Sequence, residues 1–294
     1  MWFWYSLIAI LFWSGSDLFS KMGSPSEDKY SHWKMVMAVG GVMGIHAFVL
    51  ILGGVEFTLR DIVTYMPASA LYILSMILGY VGLRYIMLSI STPICNSSGA
   101  VAALLCFFLL GDRMTGLQFF AVCLITGAVF ALSVIEKRKD DELRAAAGQV
   151  PDPRYTKSVI AVAFPLLYCA IDGLGTFVDG LLLDGYIEEA SANIAYELTF
   201  LLMAVFAFVY VVIVKKQIIV LSKENALPIL FETAGQLAYI YAIAENTIVA
   251  APMISSYCIA SLLWARVVLK EKLSFKQYLV IAVAAVGIVI MGME

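Results

Sequence analysis

The segment FLLGDRMTGLQFFAVCLITGAVF, Phe108 to Phe130, has a counterpart in VLKEKLSFKQYLVIAVAAVGIVI, Val268 to Ile290. Each holds an apolar run, an acidic-basic pair (Asp112-Arg113; Glu271-Lys272), a hydroxyl residue (Thr115; Ser274), a glutamine three positions on (Gln118; Gln277) and a second apolar run. The register extends beyond these segments. Pro93 and Pro252 stand 252 − 93 = 159 positions apart, and the same offset pairs Tyr80 with Tyr239, Leu104 with Leu263 and Arg113 with Lys272. A duplicated unit explains the match.

The unit is a membrane unit. The chain has 294 residues, 62% hydrophobic and only 14% charged, and its mean hydropathy of +0.91 lies outside the range of soluble domains. Apolar runs long enough to cross ~30 Å of hydrocarbon fall at roughly 2–22, 34–52, 65–84, 92–111, 114–135, 157–180, 190–214, 225–245, 248–269 and 274–293. The expected fold is an all-α membrane protein of ten transmembrane helices, five to a half. An odd number makes the second half enter the membrane from the opposite face, so two inverted five-helix repeats are expected. The charged, proline-containing stretch 136–156 reads as a cytoplasmic linker between repeats 1–135 and 157–294.

Of the 19 Lys and Arg, all but Arg60 and Arg113 fall on one side of this arrangement. The positive-inside rule makes that side cytoplasmic and places both termini outside, in a plasma (inner) membrane. The first run lacks a basic leader and reads as helix 1, not a signal peptide. All five cysteines lie in apolar runs, where they read as small packing residues. No metal-ligand spacing, cofactor motif or basic block suited to nucleic acid is present.

WSGSDLFSKM (Trp13–Met22), STPI (Ser91–Ile94), and the turns LLGDRMTGLQ and VLKEKLSFKQ with their apolar continuations resemble the drug/metabolite transporter superfamily in its ten-helix, EamA-like form. The resemblance covers essentially the whole chain. It implies a secondary transporter with a cavity between the halves, and no particular substrate. The four-helix small multidrug resistance relatives carry a membrane-embedded glutamate on their first helix; Trp13 occupies that place here, and the repeat offset maps Trp13 onto Asp172.

Ionisable side chains at membrane depth are costly unless they face a wet space or a partner, which makes each a candidate. Tyr168, Asp172, Gly175 and Asp179 form one stripe on helix 6, and Glu232, Gln236 and Tyr239 one on helix 8. Asn193 and Glu197 on helix 7, Tyr72, Met76 and Tyr80 on helix 3, and Trp13 and Ser14 on helix 1 are placed to close the same space. The substrate-binding set is therefore Trp13, Ser14, Tyr72, Tyr168, Asp172, Glu197, Glu232, Gln236 and Tyr239. Asp172 is also the candidate for proton coupling, since proton and cation can compete for one carboxylate. Each acid could instead be a buried hydrogen-bonding group, and each tyrosine a packing residue. His46 stands alone on its helix face and reads as packing; Asp17 and Lys21 read as a solvated i,i+4 pair. Pro93 and Pro252 are expected to open helices 4 and 9, while Pro165 inside helix 6 removes a backbone hydrogen bond where a gating bend could form. Small residues on helices 5 and 10 (Gly127, Ala128, Ala131; Ala284, Ala285, Gly287) suit internal packing or a homodimer seam.

No phosphate-binding loop supports a pump, and no HExxH, GxSxG or close Ser–His pair supports an intramembrane enzyme. The expectation is a secondary active transporter for a small polar metabolite, cationic or amine-bearing, coupled to protons or working by exchange. A neutral or zwitterionic substrate such as an amino acid is the alternative. A non-transporting membrane scaffold or lipid-handling protein is the rival from another class.

Overall fold

In hydrocarbon the backbone must satisfy its own hydrogen bonds, and long apolar runs do so as helices. The computed structural model describes residues 1–23, 30–82, 95–146, 159–217, 226–268, 270 and 272–293. Arg84, Pro93 and the later part of the linker lie outside the described residues, as do the side chains of Asp17, Lys21, Met76 and Tyr80. Among the described residues there are ten helices and no strand: α1 (Trp2–Gly23), α2 (Ser31–Leu52), α3 (Leu59–Gly82), α4 (Ser98–Leu105), α5 (Gly116–Ala146), α6 (Val159–Leu183), α7 (Glu189–Phe208), α8 (Ala226–Ile254), α9 (Tyr257–Val268) and α10 (Phe275–Gly292). Wider turns continue α4 through Cys106–Leu110 and α7 through Val209–Val214. Five stretches, Gly116–Lys139, Ala163–Leu183, Glu189–Val214, Ile229–Ile254 and Phe275–Gly292, are long and apolar enough to cross a membrane. With Phe119, Phe206 and Val289 among many exposed large apolar side chains, the chain is an integral membrane protein.

The duplicated turn has a structural job. Thr115 Oγ1 accepts the Gln118 N–H at 3.1 Å while Gln118 Oε1 accepts the Thr115 N–H at 3.0 Å. Ser274 and Gln277 repeat the exchange at 3.3 and 2.8 Å. Each pair is a capping box satisfying two orphan donors at the start of a helix, α5 or α10. The preceding turns also agree: Gly111 at φ +73° and Lys270 at φ +55° are both left-handed, one repeat offset apart. Gln277 Nε2 then donates to Glu136 Oε1 at 3.4 Å. Glu136 lies far along α5 from the first capping box, about 27 Å at 1.5 Å per residue, so the two equivalent caps stand at opposite ends of the α5–α10 pair. Ala128, Ala284 and Gly287 are buried in that pair, whereas Gly127, Ala131 and Ala285 remain exposed. α5 continues unbroken to Ala146, beyond the sequence-derived limit at 135.

Two features of α8 shape the centre, the first in the gap that the sequence leaves between the runs 225–245 and 248–269. Asn246, at φ −163° and ψ 80°, interrupts α8. Tyr239 and Tyr257 lie on either side of it, and a straight helix would hold them about 27 Å apart; both pack on Trp13, at ring-centroid distances of 4.9 and 6.0 Å. The chain therefore folds back at Asn246. Pro252 lies inside the returning leg rather than opening it. Its missing N–H leaves the Ile248 carbonyl without its helical donor, and the helix breaks shortly afterwards at Ser255–Ser256.

The packing partners exchange between the two halves of the chain. α1 packs along α8 and α9, and α6 correspondingly along α3 and α4; α2 pairs with α7 and α5 with α10. Lipid supplies no hydrophobic drive between helices, so close approach matters. A Cβ on Gly173 would meet the Ser98 carbonyl oxygen at 2.7 Å, and one on Gly99 would strike Ala251 O and Ser255 Oγ.

Candidate functional site

The chain is broken at Asn96–Ser97, just before α4, and at Ser255–Ser256, just before α9, and 255 − 96 = 159. These equivalent breaks meet: the Tyr257 hydroxyl donates to Asn96 Oδ1 at 3.3 Å, and Gly99 abuts Ser255. Helix breaks expose backbone polar groups that a hydrocarbon surrounding cannot satisfy, and they are tolerated where the interior is polar.

An aromatic cluster adjoins them. Trp13 lies against Tyr239 and Tyr257, and Tyr72 packs edge-on to Tyr196 at 5.9 Å and to Tyr239 at 6.5 Å. Trp13 fits because Gly235 of α8 presents no side chain there. The phenols converge on α6. Tyr65 donates to Asp179 Oδ1 at 2.7 Å, and the Tyr72 hydroxyl lies 3.2 Å from Oδ2. The Tyr72 and Tyr239 hydroxyls share a short hydrogen bond, and both reach Thr176 Oγ1, at 3.3 and 3.1 Å. Asp179 and Tyr65 are both 0% exposed.

Two turns away along α6, Asp172 accepts from Ser75 Oγ at 3.0 Å and from the Ser98 hydroxyl. It is only half-buried, at the start of α4 and within electrostatic reach of Tyr72 and Tyr239. A carboxylate beside a helix N-terminus also gains from the helix dipole. Glu232, half-buried on α8, acts electrostatically on Tyr196. Gln236, one turn further, is buried, and its Nε2 has no hydrogen-bond partner among the described residues; the same holds for Trp13 Nε1.

Of the sequence-derived set, Trp13, Tyr72, Asp172 and Tyr239 thus lie in one neighbourhood, with Glu232, Gln236 and the half-buried Tyr168 on its helices. Ser14 is turned toward α9, donating to Leu11 O at 3.0 Å and accepting from the Trp264 indole at 3.1 Å. Glu197 is 0% exposed and held by His46 Nδ1 at 2.8 Å, in the seam between α2 and α7. His46 is therefore not alone: its partner comes from another helix. Tyr65, Ser75, Thr176, Asp179 and Tyr196 complete the neighbourhood and were not in the set. Asp179 could have been found from its stripe position below Asp172; of the two phenols on it, Tyr72 is in the set and Tyr65 carries no local sequence signal.

No family model and no curated protein matches the chain. Among solved structures, the crystal structure of a protein 12% identical superposes with a TM-score of 0.73 over 99% of this chain and 96% of its own. At that identity the likeness concerns the fold alone.

Proposed function

We propose that this chain is a secondary active transporter of a small cationic or amine-bearing metabolite. In this reading it has ten spans arranged as two inverted repeats of the drug/metabolite transporter, EamA-like kind. It lies in the plasma membrane with both termini outside, and the halves rock about a midplane site. The observation that carries the reading is the meeting of two equivalent helix breaks beside an aromatic cluster flanked by Asp172 and Glu232. Broken helices at a repeat interface are where such machines hold substrate. The opposite placement of the two capping boxes and the exchange-symmetric packing support inversion.

Among the described residues, the side chains hydrogen-bonded to Asp172 and Asp179 are hydroxyls and none is a base. A ligand ammonium would supply the absent positive charge, and ring faces add attraction of ~1–2 kcal/mol once water is removed. Asp172 contacts the cation and exchanges it for a proton. The indole Nε1 of Trp13 and the amide Nε2 of Gln236 favour a second reading: two donors lacking acceptors suit a zwitterion, such as an amino acid.

Purified protein in proteoliposomes on a solid-supported membrane, exposed in turn to cationic, zwitterionic, neutral and anionic metabolites, should give transient currents with the amine-bearing groups. Currents from anions alone, or from none of the groups, would refute the assignment.

A further inference from the structure

The buried phenol cluster around Asp179 has one more oxygen–oxygen contact than its hydroxyls have protons. Four hydroxyls, of Tyr65, Tyr72, Thr176 and Tyr239, serve five oxygen contacts: Tyr65–Asp179, Tyr72–Asp179, Tyr72–Tyr239, Tyr72–Thr176 and Tyr239–Thr176. A contact is a hydrogen bond only when one proton lies between its oxygens, and each hydroxyl carries one. With Asp179 ionised, one contact is left as two facing lone pairs. With Asp179 protonated, all five are filled. Tyr65 donates to Oδ1, Oδ2–H donates to Tyr72, Tyr72 to Tyr239, Tyr239 to Thr176, and Thr176 back to Tyr72, whose oxygen has room for two donors.

We infer that Asp179 is a proton-binding site, distinct from Asp172, and that in this conformation the proton sits on Oδ2 and is donated to the Tyr72 hydroxyl. The surroundings hold no competing charge. The titratable groups facing Asp179 are Tyr65 and Tyr72 from α3, Tyr239 from α8 and Tyr196 from α7, with Asp172 on its own helix. α4 (Ser98–Leu105) contributes no titratable side chain. Among the described residues no Lys, Arg or His bridges to Asp179. A carboxylate 0% exposed, without a cation, is costly to keep ionised.

The site also governs when the proton can leave. Tyr65 and Tyr72 come from the first half of the chain and Asp179 from the second, so the proton reaches solvent only when α3 and α6 part. That consequence rests on the alternating-access reading above; the protonation itself does not.

Infrared spectroscopy of the purified protein near neutral pH, in H2O and D2O, reads the proton directly. The wild-type spectrum should contain a protonated-carboxyl C=O band that shifts in D2O, disappears in Asp179→Asn and persists in Asp172→Asn. Identical carboxylic-acid intensity in wild type and Asp179→Asn would overturn the assignment. Should Asp179→Asn fail to fold, Tyr65→Phe removes the donor to Oδ1 and should move the band to higher frequency. An unmoved band would equally overturn it. Because this readout needs no transport, its failure leaves the transport reading standing, and an intact band without metabolite currents sinks only the latter.

Discussion

His46 and Glu197 close on each other across α2 and α7, with Nδ1 2.8 Å from one carboxylate oxygen and 3.0 Å from the other. The carboxylate is fully buried while the imidazole side chain keeps 29% of its surface. Removing one partner of such a pair strands the other's charge or polarity. His46→Ala should lower stability in detergent by about 3–5 kcal/mol, whereas replacing both residues with apolar ones of similar size should recover most of the loss. Denaturant or thermal unfolding measures this, and a double variant no more stable than His46→Ala would show that the pair does not act as a unit.

The repeated turn makes a different prediction, because its polar residues cap helices and touch no candidate ligand group. Thr115→Ala and Ser274→Ala should each cost about 0.5–2 kcal/mol of stability and leave ligand affinity unchanged. Lys270→Gly should raise stability by up to about 1 kcal/mol, since it relieves a left-handed backbone that glycine tolerates. A loss of binding in either cap variant at full stability would give those residues a role the geometry does not.

The helices and the repeated turn were legible because apolar runs and turn chemistry are local. The capping boxes appear in the sequence as a hydroxyl residue and a glutamine at fixed spacing, repeated. The fold-back at Asn246 was legible only as a gap between runs, because an asparagine within apolar sequence does not announce a reversal, and Pro252, read as opening the returning leg, lies inside it. The site was legible by stripe and no further. Asp172, Glu232 and Tyr239 lie where helical spacing puts them, but the phenols on Asp179 arrive from 114 and 107 residues away. The same distance problem hid the partner of His46, 151 positions along the chain.

Glu232 is expected to orient the ligand from α8. A carboxylate paired with a bound ammonium contributes ~1.5–3 kcal/mol through a charge-assisted hydrogen bond. Glu232→Gln should therefore weaken binding of any cationic ligand by about ten- to hundredfold while unfolding at the wild-type temperature. Unchanged affinity would assign Glu232 to packing.

Orientation has its own test. After replacement of the five native cysteines, a cysteine at Tyr186, which is 73% exposed between α6 and α7, should react with an impermeant thiol reagent in intact cells. One at Lys139, exposed near the far end of α5, should react only after the cells are opened. The reverse pattern would invert the topology.

The central claim is that Asp172 binds a cation in the cluster between the halves, and ligand-induced stabilisation of purified protein tests it most directly. Metabolites grouped by charge are screened by thermal shift with wild type and Asp172→Asn, across a pH series. An amine-bearing cation at a hundred times its dissociation constant should stabilise the wild type by ~2.7 kcal/mol. The effect should weaken as pH falls, because protons compete for the carboxylate, and Asp172→Asn should abolish both the stabilisation and its pH dependence. Equal stabilisation of Asp172→Asn with the same pH profile, or stabilisation by anions alone, would contradict the account.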